Sequence, residues 1–182
     1  NKDEFIKPNS SMEIFGKLRT AFKKEGGTVT AGNSSGLNDG AAAMLLASEK
    51  GIKENNLTPI AKIVSSAIVG VEPRIMGIWP VYAIPEAVKK AGIKQDDLQL
   101  IELNEAFASQ SLAVIRELGL DMDRLNVNGG AISMGHPLGC TGAKLSVQIF
   151  DEMRKRNLQN KYAMVTMCVG TGQGAAGVYE FL

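Results

Sequence analysis

From Ile60 onward the chain alternates between two kinds of segment, and this alternation constrains its fold more than any other feature. "IAKIVSSAIVG" (60–70) is rich in β-branched residues and strand-like, while "PVYAIPEAVKKAG" (80–92) reads as a helix entered through prolines and ended by Gly92. The pattern then recurs. "LQLIEL" is a strand and "EAFASQSLAVIREL" a helix; "LNVNG" is a short strand and "PLGCTGAKLSVQIFDEMRKR" a helix; "YAMVTMC" and "AAGVYEF" are two closing strands. Strands alternating with helices predict an α/β domain over residues 60–182, with a sheet covered on both faces by helices and its last strand pair joined by a short connection.

The segment before Ile60 has a different character. Met12, Phe15, Leu18 and Phe22 follow a three-to-four residue spacing that predicts a short amphipathic helix over 11–24. "GGTVTAGNSSGLNDG" is a turn-rich loop, followed by the small apolar run "AAAMLLAS". That run is far shorter than the roughly 20 residues that span a bilayer, so no membrane partner is expected. Twenty basic against 19 acidic side chains, with no basic block, give a phosphate backbone nothing to bind, so no nucleic-acid partner is expected. The opening "NKDEFIKPNSS" carries no apolar export signal, and Cys140 and Cys168 are the only cysteines, so free thiols in a reducing cytoplasm are the expectation. The same opening, without an initiator methionine, fits a piece of a longer protein.

Near the end, "GQGAAG" (172–177) is a literal G-x-G-x-x-G. A dinucleotide loop needs those glycines between a strand and a helix, with an acidic residue about 20 positions later. Only "VYEFL" follows Gly177, so the glycines belong to a connection between strands instead. Cys168 stands where that loop begins. It is either a buried, inert thiol or a reactive sulfur beside free backbone N–H groups able to hold an oxyanion.

Two further polar residues follow strands. Asn104 comes after "LQLIEL", and its plain reading is an N-cap with Glu105 complementing the helix dipole. His136, the only histidine, precedes Pro137, which suits the first turn of a helix. The helix terminus would disfavour the imidazolium and keep the ring neutral; a lone surface histidine is the alternative. Ligands in α/β sheets collect at the C-terminal ends of parallel strands, so Asn104, His136 and Cys168 are candidates to converge on one pocket.

These residues lie in motifs that resemble a known family. "NEAFA", "NVNGGAISMGHPLGCTGA" and "CVGTGQGAA" look like the three C-terminal active-site motifs of the thiolases, the acetyl-CoA acetyltransferases and 3-ketoacyl-CoA thiolases, and "GTVTAGNSSGLNDGAA" resembles a fourth that lies against the coenzyme A pantetheine. The resemblance implies a thiolase-like layered α/β domain over 60–182 with a mixed sheet, preceded by a remnant of the substrate-covering loop domain (1–38) and the last elements of the N-terminal domain (39–59). It implies that His136 activates a nucleophilic cysteine and, with a water held by Asn104, forms an oxyanion hole. Cys168 would be the acid/base and the Gly170 N–H a donor to a second oxyanion hole. Ser34 and Ser35 would contact pantetheine, while Met76, Ala106 and Phe107 would line the thioester end of the tunnel; turn formation and core packing are their alternatives.

Acyl-CoA and coenzyme A are the implied substrates, with no permanently bound cofactor and no metal. In the family the acylated cysteine lies in an N-terminal half, so that half is an expected partner, the chain by itself is expected to be inactive, and the complete protein is expected to form a homo-oligomer. Cys140 is at a position where the family also accepts alanine and is read as packing. Trp79 and Tyr82 stand where the family usually has smaller residues, so either could reshape the pocket. Two other readings stay open: a cysteine hydrolase using Cys168, His136 and Asn104, and a non-catalytic module that binds coenzyme A or a partner subunit.

Overall fold

The structure, a computed structural model, describes residues 5–70 and 72–182. Four strands, β1 (Ala61–Gly70), β2 (Leu98–Leu103), β3 (Tyr162–Val169) and β4 (Gln173–Phe181), form one sheet in the order β1-β4-β3-β2. β2 and β3 are parallel, and β4 lies antiparallel to both β1 and β3. The sheet is therefore mixed, with β4 reversed among three strands that run the same way.

Two apolar cores hold the helices to opposite faces. α3 (Pro80–Ala91) buries Ala83, Ile84, Ala87 and Val88, a spacing that makes one helical stripe, and α4 (Ala108–Leu118) adds Val114. They pack with Ile101, Leu103, Met164, Ala176 and Val178. On the other face α6 (Thr141–Lys155) buries Leu145, Ile149 and Met153, four residues apart, against Leu100, Ala163, Val165 and Phe181. Each large apolar side chain so buried contributes about 1.5–3 kcal/mol, enough to fix which face each helix covers. The expected α/β alternation and two-sided covering are thus present. Among the described residues no helix is long and apolar enough to cross a membrane.

Three local expectations are corrected. The helix expected over 11–24 is only α1 (Met12–Gly16), capped by the Ser11 side chain and burying nothing. The chain turns back on itself beyond it, with Thr20 bridged to Thr30 and the Ala21 N–H donating to the Val29 carbonyl, so Phe22 stays exposed. So short a helix, with no residue of its own buried, has little reason to propagate.

The second correction concerns "LNVNG", which is not a strand. Leu125 makes a single parallel bridge to Ile101, and Asn126 then takes a left-handed backbone (φ 46°) that no strand can continue. The Asn126 amide substitutes for the missing ladder: Oδ1 accepts from the Leu103 N–H and Nδ2 donates to the Leu103 carbonyl, both at 2.9 Å.

The third concerns α6, which begins at Thr141 rather than Pro137. Residues 137–140 form a turn closed by the Cys140 N–H on the Pro137 carbonyl, 2.9 Å. A four-residue helix, α5 (Ala131–Met134), precedes His136, and a sixth helix, α2 (Glu49–Glu54), lies upstream of β1. Residues 41–48, "AAAMLLAS", form no regular element, and Leu45 and Leu46 are exposed.

Candidate active site

Asn104 leaves the end of β2 and is held there by its own N–H, which donates to the Thr166 carbonyl of β3 at 3.0 Å. It is not an N-cap: α4 starts four residues later, with Phe107 in the capping position. Its side chain is 1 % exposed, and Nδ2 lies 3.3 Å from His136 Nε2 while Oδ1 has no protein partner. A buried asparagine is thus spent on an imidazole rather than on a helix end.

His136 sits between α5 and α6, gripped from several sides. Its N–H donates to Asn38 Oδ1 at 3.0 Å, and the Lys144 ammonium donates to the Gly135 carbonyl at 2.9 Å. Gly135 adopts φ 92° with the Asn38 amide 2.7 Å from where a Cβ would stand, so no side chain fits there. The ring Nδ1 lies 2.7 Å from Thr141 Oγ1, and that hydroxyl donates its one proton to the Pro137 carbonyl, 3.0 Å away. Thr141 can then only accept, so Nδ1 carries the proton and Nε2 presents a lone pair, which the Asn104 amide meets as donor.

The ring is also kept neutral. Burial, with the Lys144 charge second, pushes its pKa below the ordinary 6.5. The direction is the one expected from a helix terminus, but the cause differs, because His136 lies five residues before α6 begins. An uncharged imidazole whose Nε2 lone pair meets one long, neutral hydrogen bond is a base, and after taking a proton the same nitrogen becomes a hydrogen-bond donor.

Cys168 lies two residues beyond Thr166 on β3, on the sheet face shared with Met164 and Thr166, whereas Asn104 continues the β2 face of Leu100 and Glu102 toward α6. The thiol is buried, and burial pushes its pKa up, so it is protonated at neutral pH. Among the described residues no hydrogen bond joins it to Asn104 or His136. Asn104 and His136 are therefore in contact, and Cys168 stands at the neighbouring strand end.

Gly170 opens the three-residue turn from β3 to β4 and faces open space. Of the glycine run, Gly172 ends this turn, while Gly174 and Gly177 lie within strand β4 rather than in a connection, with Gly174 pressed against Trp79, whose Cβ and carbonyl oxygen are 2.6 and 2.7 Å from where a glycine Cβ would stand. Trp79 is fully buried, so it packs the core rather than shaping a pocket; Tyr82 is half exposed beside it.

Four of the remaining candidates, Ser34, Ser35, Ala106 and Phe107, gather on one strip. Ser34 bridges Phe107, the Ser35 N–H donates to the Ala106 carbonyl at 3.0 Å, and the Ala108 N–H donates to the Asn33 carbonyl at 2.9 Å. The Ser34 hydroxyl is taken by the Thr30 carbonyl, 2.7 Å. Met76 lies half-buried on the 3-10 segment Pro73–Ile78, which packs against α4 and β3. Cys140 is half-buried beside a polar hollow of about 620 Å³ bounded by residues 37–42 and 136–140. Sequence reading missed Thr141, Asn38 and Lys144. Thr141 follows His136 by one and a half helical turns and was within reach of local reasoning, whereas Asn38, 98 residues away, gives no local signal.

Residues 57–181 match the thiolase C-terminal domain and residues 1–50 the thiolase N-terminal domain. The chain belongs to the thiolase family. It is 53 % identical over 180 residues to the 3-ketoacyl-CoA thiolase of Bacillus subtilis, covering 99 % of this chain and 45 % of that protein. It is 49 % identical to the peroxisomal 3-ketoacyl-CoA thiolase B of Rattus norvegicus, with 100 % and 42 % covered. Among solved thiolase structures, the Bacillus anthracis acetyl-CoA acetyltransferase superposes with a TM-score of 0.91 at 45 % identity, over 100 % of this chain and 45 % of that one. The human mitochondrial 3-ketoacyl-CoA thiolase in complex with CoA superposes with a TM-score of 0.87 at 44 % identity, over 99 % and 45 %. This thiolase chain spans a little under half the length of these relatives.

Proposed function

We propose that the chain is the C-terminal part of an acyl-transferring thiolase, working between a thioester and coenzyme A. The observation that carries this reading is the Asn104–His136 contact, with Nε2 left as the basic nitrogen. In the thiolytic direction His136 Nε2 takes the proton of a cysteine supplied by the N-terminal half, and that thiolate attacks the 3-keto carbon. The resulting oxyanion is held by the imidazolium N–H and by a water on Asn104. Collapse breaks the bond between C2 and C3, and Cys168 protonates the acetyl-CoA enolate. Cys168 then recovers a proton from incoming coenzyme A, whose thiolate attacks the acyl-enzyme while the Gly170 N–H faces its oxyanion; collapse expels the N-terminal cysteine thiolate, which takes its proton back from the His136 imidazolium. A thiol raised by burial suits the donating step.

Residues 1–38 are read as the tail of the loop domain and 39–59 as the last elements of the N-terminal domain. A groove of about 920 Å³ between residues 41–61 and the outer face of α6, lined by Ala41, Leu45, Val147 and Phe150 among others, fits an N-terminal half that would supply strand partners for the unpaired 41–48 segment. One yeast peroxisomal thiolase is described as dimeric, and a homo-oligomer is the proposed state of the complete protein. Two free cysteines fit a reducing compartment, and a cytoplasmic location is proposed. A hydrolase would need Cys168 paired with His136, yet among the described residues no hydrogen bond joins the two, and the ring meets Asn104 and Thr141 instead.

The test is reconstitution. The purified chain is expected to give no coenzyme A-dependent cleavage of acetoacetyl-CoA, because the covalent acceptor is absent. Addition of a thiolase N-terminal half should restore cleavage, and His136→Ala should abolish it. Cleavage by the chain alone, or none after reconstitution, would overturn the proposal.

A further inference from the structure

Glu105 follows Asn104, and its carboxylate is not used by the acyl-transfer scheme. It does not serve the helix after it, since α4 begins at Ala108. Instead Oε1 accepts from Asn126 Nδ2 at 3.1 Å and Oε2 accepts from the Ile132 N–H, in the first turn of α5, at 3.2 Å. Gly130 lies so close that any side chain there would overlap the carboxylate. Asn126 is the residue whose amide is spliced onto the Leu103 backbone. Glu105 thus stands as a strut between the end of β2 and the loop that runs through α5 to His136.

We propose that Glu105 is a positioning residue whose carboxylate holds loop 126–136 against the end of β2 and thereby sets the His136 imidazole against the Asn104 amide. On the far side His136 is held by Asn38 and Thr141, and its neighbour Gly135 by Lys144; on the β2 side Asn126 ties the start of the loop to Leu103, and Glu105 ties both Asn126 and α5. The Asn104–His136 separation of 3.3 Å is already near the outer limit for a hydrogen bond, so a small loop displacement removes it. Two donors converge on the carboxylate, which is why an amide is no substitute: glutamine offers one acceptor oxygen and turns an NH₂ toward the other donor. The proposal rests on the acyl-transfer reading for what the imidazole is used for, but not for where it is held.

His136 is the only histidine, so its ring signals in the 182-residue chain need no further assignment. Wild type should show a cross-peak between the Asn104 side-chain amide and the His136 ring. In Glu105→Ala, folded by circular dichroism, that cross-peak should vanish while the ring N–H bonded to Thr141 persists. Glu105→Gln should weaken it, and in the reconstituted enzyme should lower kcat about tenfold with KM little changed. A folded Glu105→Ala chain with the wild-type cross-peak would overturn the proposal. If that variant does not fold, Glu105→Gln decides: a weakened cross-peak supports the strut and a wild-type one overturns it. Absence of activity in the reconstituted wild type would sink the acyl-transfer reading and leave the cross-peak to judge Glu105.

Discussion

Asn104 and His136 stand 32 residues apart in the chain and meet at 3.3 Å, with the amide of one facing the lone pair of the other. Neither end of this pair is free to drift. Asn104 is pinned by the β2–β3 ladder and His136 by the Thr141 hydroxyl, so the contact is built into the scaffold before any ligand arrives.

Function and stability should separate at Asn104. Its Oδ1 is buried without a protein partner, so Asn104→Ala removes an orphaned polar atom together with one long hydrogen bond. The net change in stability should stay within about 1 kcal/mol by urea unfolding. Activity of the reconstituted enzyme should nevertheless fall by about 10²–10³, the usual loss for one oxyanion donor.

Thr141→Val removes the acceptor for Nδ1–H and keeps the side-chain volume. The ring nitrogens should then exchange between tautomers, visible as two ¹⁵N signals moving toward each other, and the chain should lose about 1 kcal/mol. A spectrum unchanged from wild type would mean that Thr141 does not set the tautomer.

Glu102 gives the clearest pH signature. It is 2 % exposed, and burial raises its pKa from 4.5 to about 7, against the opposing pull of Gln148 and Lys144. A group raised on folding stabilises fully below pH 4.5, and that contribution is lost as pH climbs through about 7. His136, lowered on folding, works the other way: its share is full above 6.5 and declines as the medium is acidified below that value. Comparing wild type with Glu102→Gln isolates the glutamate. Relative to wild type, the variant should gain up to about 3 kcal/mol between pH 4.5 and 8, read from urea midpoints.

Gly174→Ala tests the strand reading of the glycine run. The new methyl would strike backbone and Cβ atoms of Trp79, which cannot swing away, so a loss of about 1–3 kcal/mol is expected in thermal unfolding. A phosphate-binding loop would instead leave stability near wild type.

The strands and long helices could be read from the sequence because each announces itself locally. β2 sets Leu98, Leu100, Ile101 and Leu103 within six residues, and α3 carries its stripe between prolines and Gly92. "LNVNG" misled because Asn126 spends its side chain imitating a strand, which no periodicity reveals. The 11–24 segment has helical spacing, yet its helix buries no residue while Phe22 packs edge-on against Phe107, and spacing alone does not stabilise a helix. At the site, Asn104 and His136 could be found from their positions after strand-like segments. The grip on them could not: Asn38 and Glu105 act through contacts 98 and 27 residues away.

The reversed strand β4 has a consequence for synthesis. It is made after β1, β2 and β3, and it is the strand that both β1 and β3 must pair with. Until residues 173–181 emerge, the β1 and β3 edges wait unzipped, so a nascent chain of this kind is exposed to mispairing through the roughly 100 residues that separate β1 from β4.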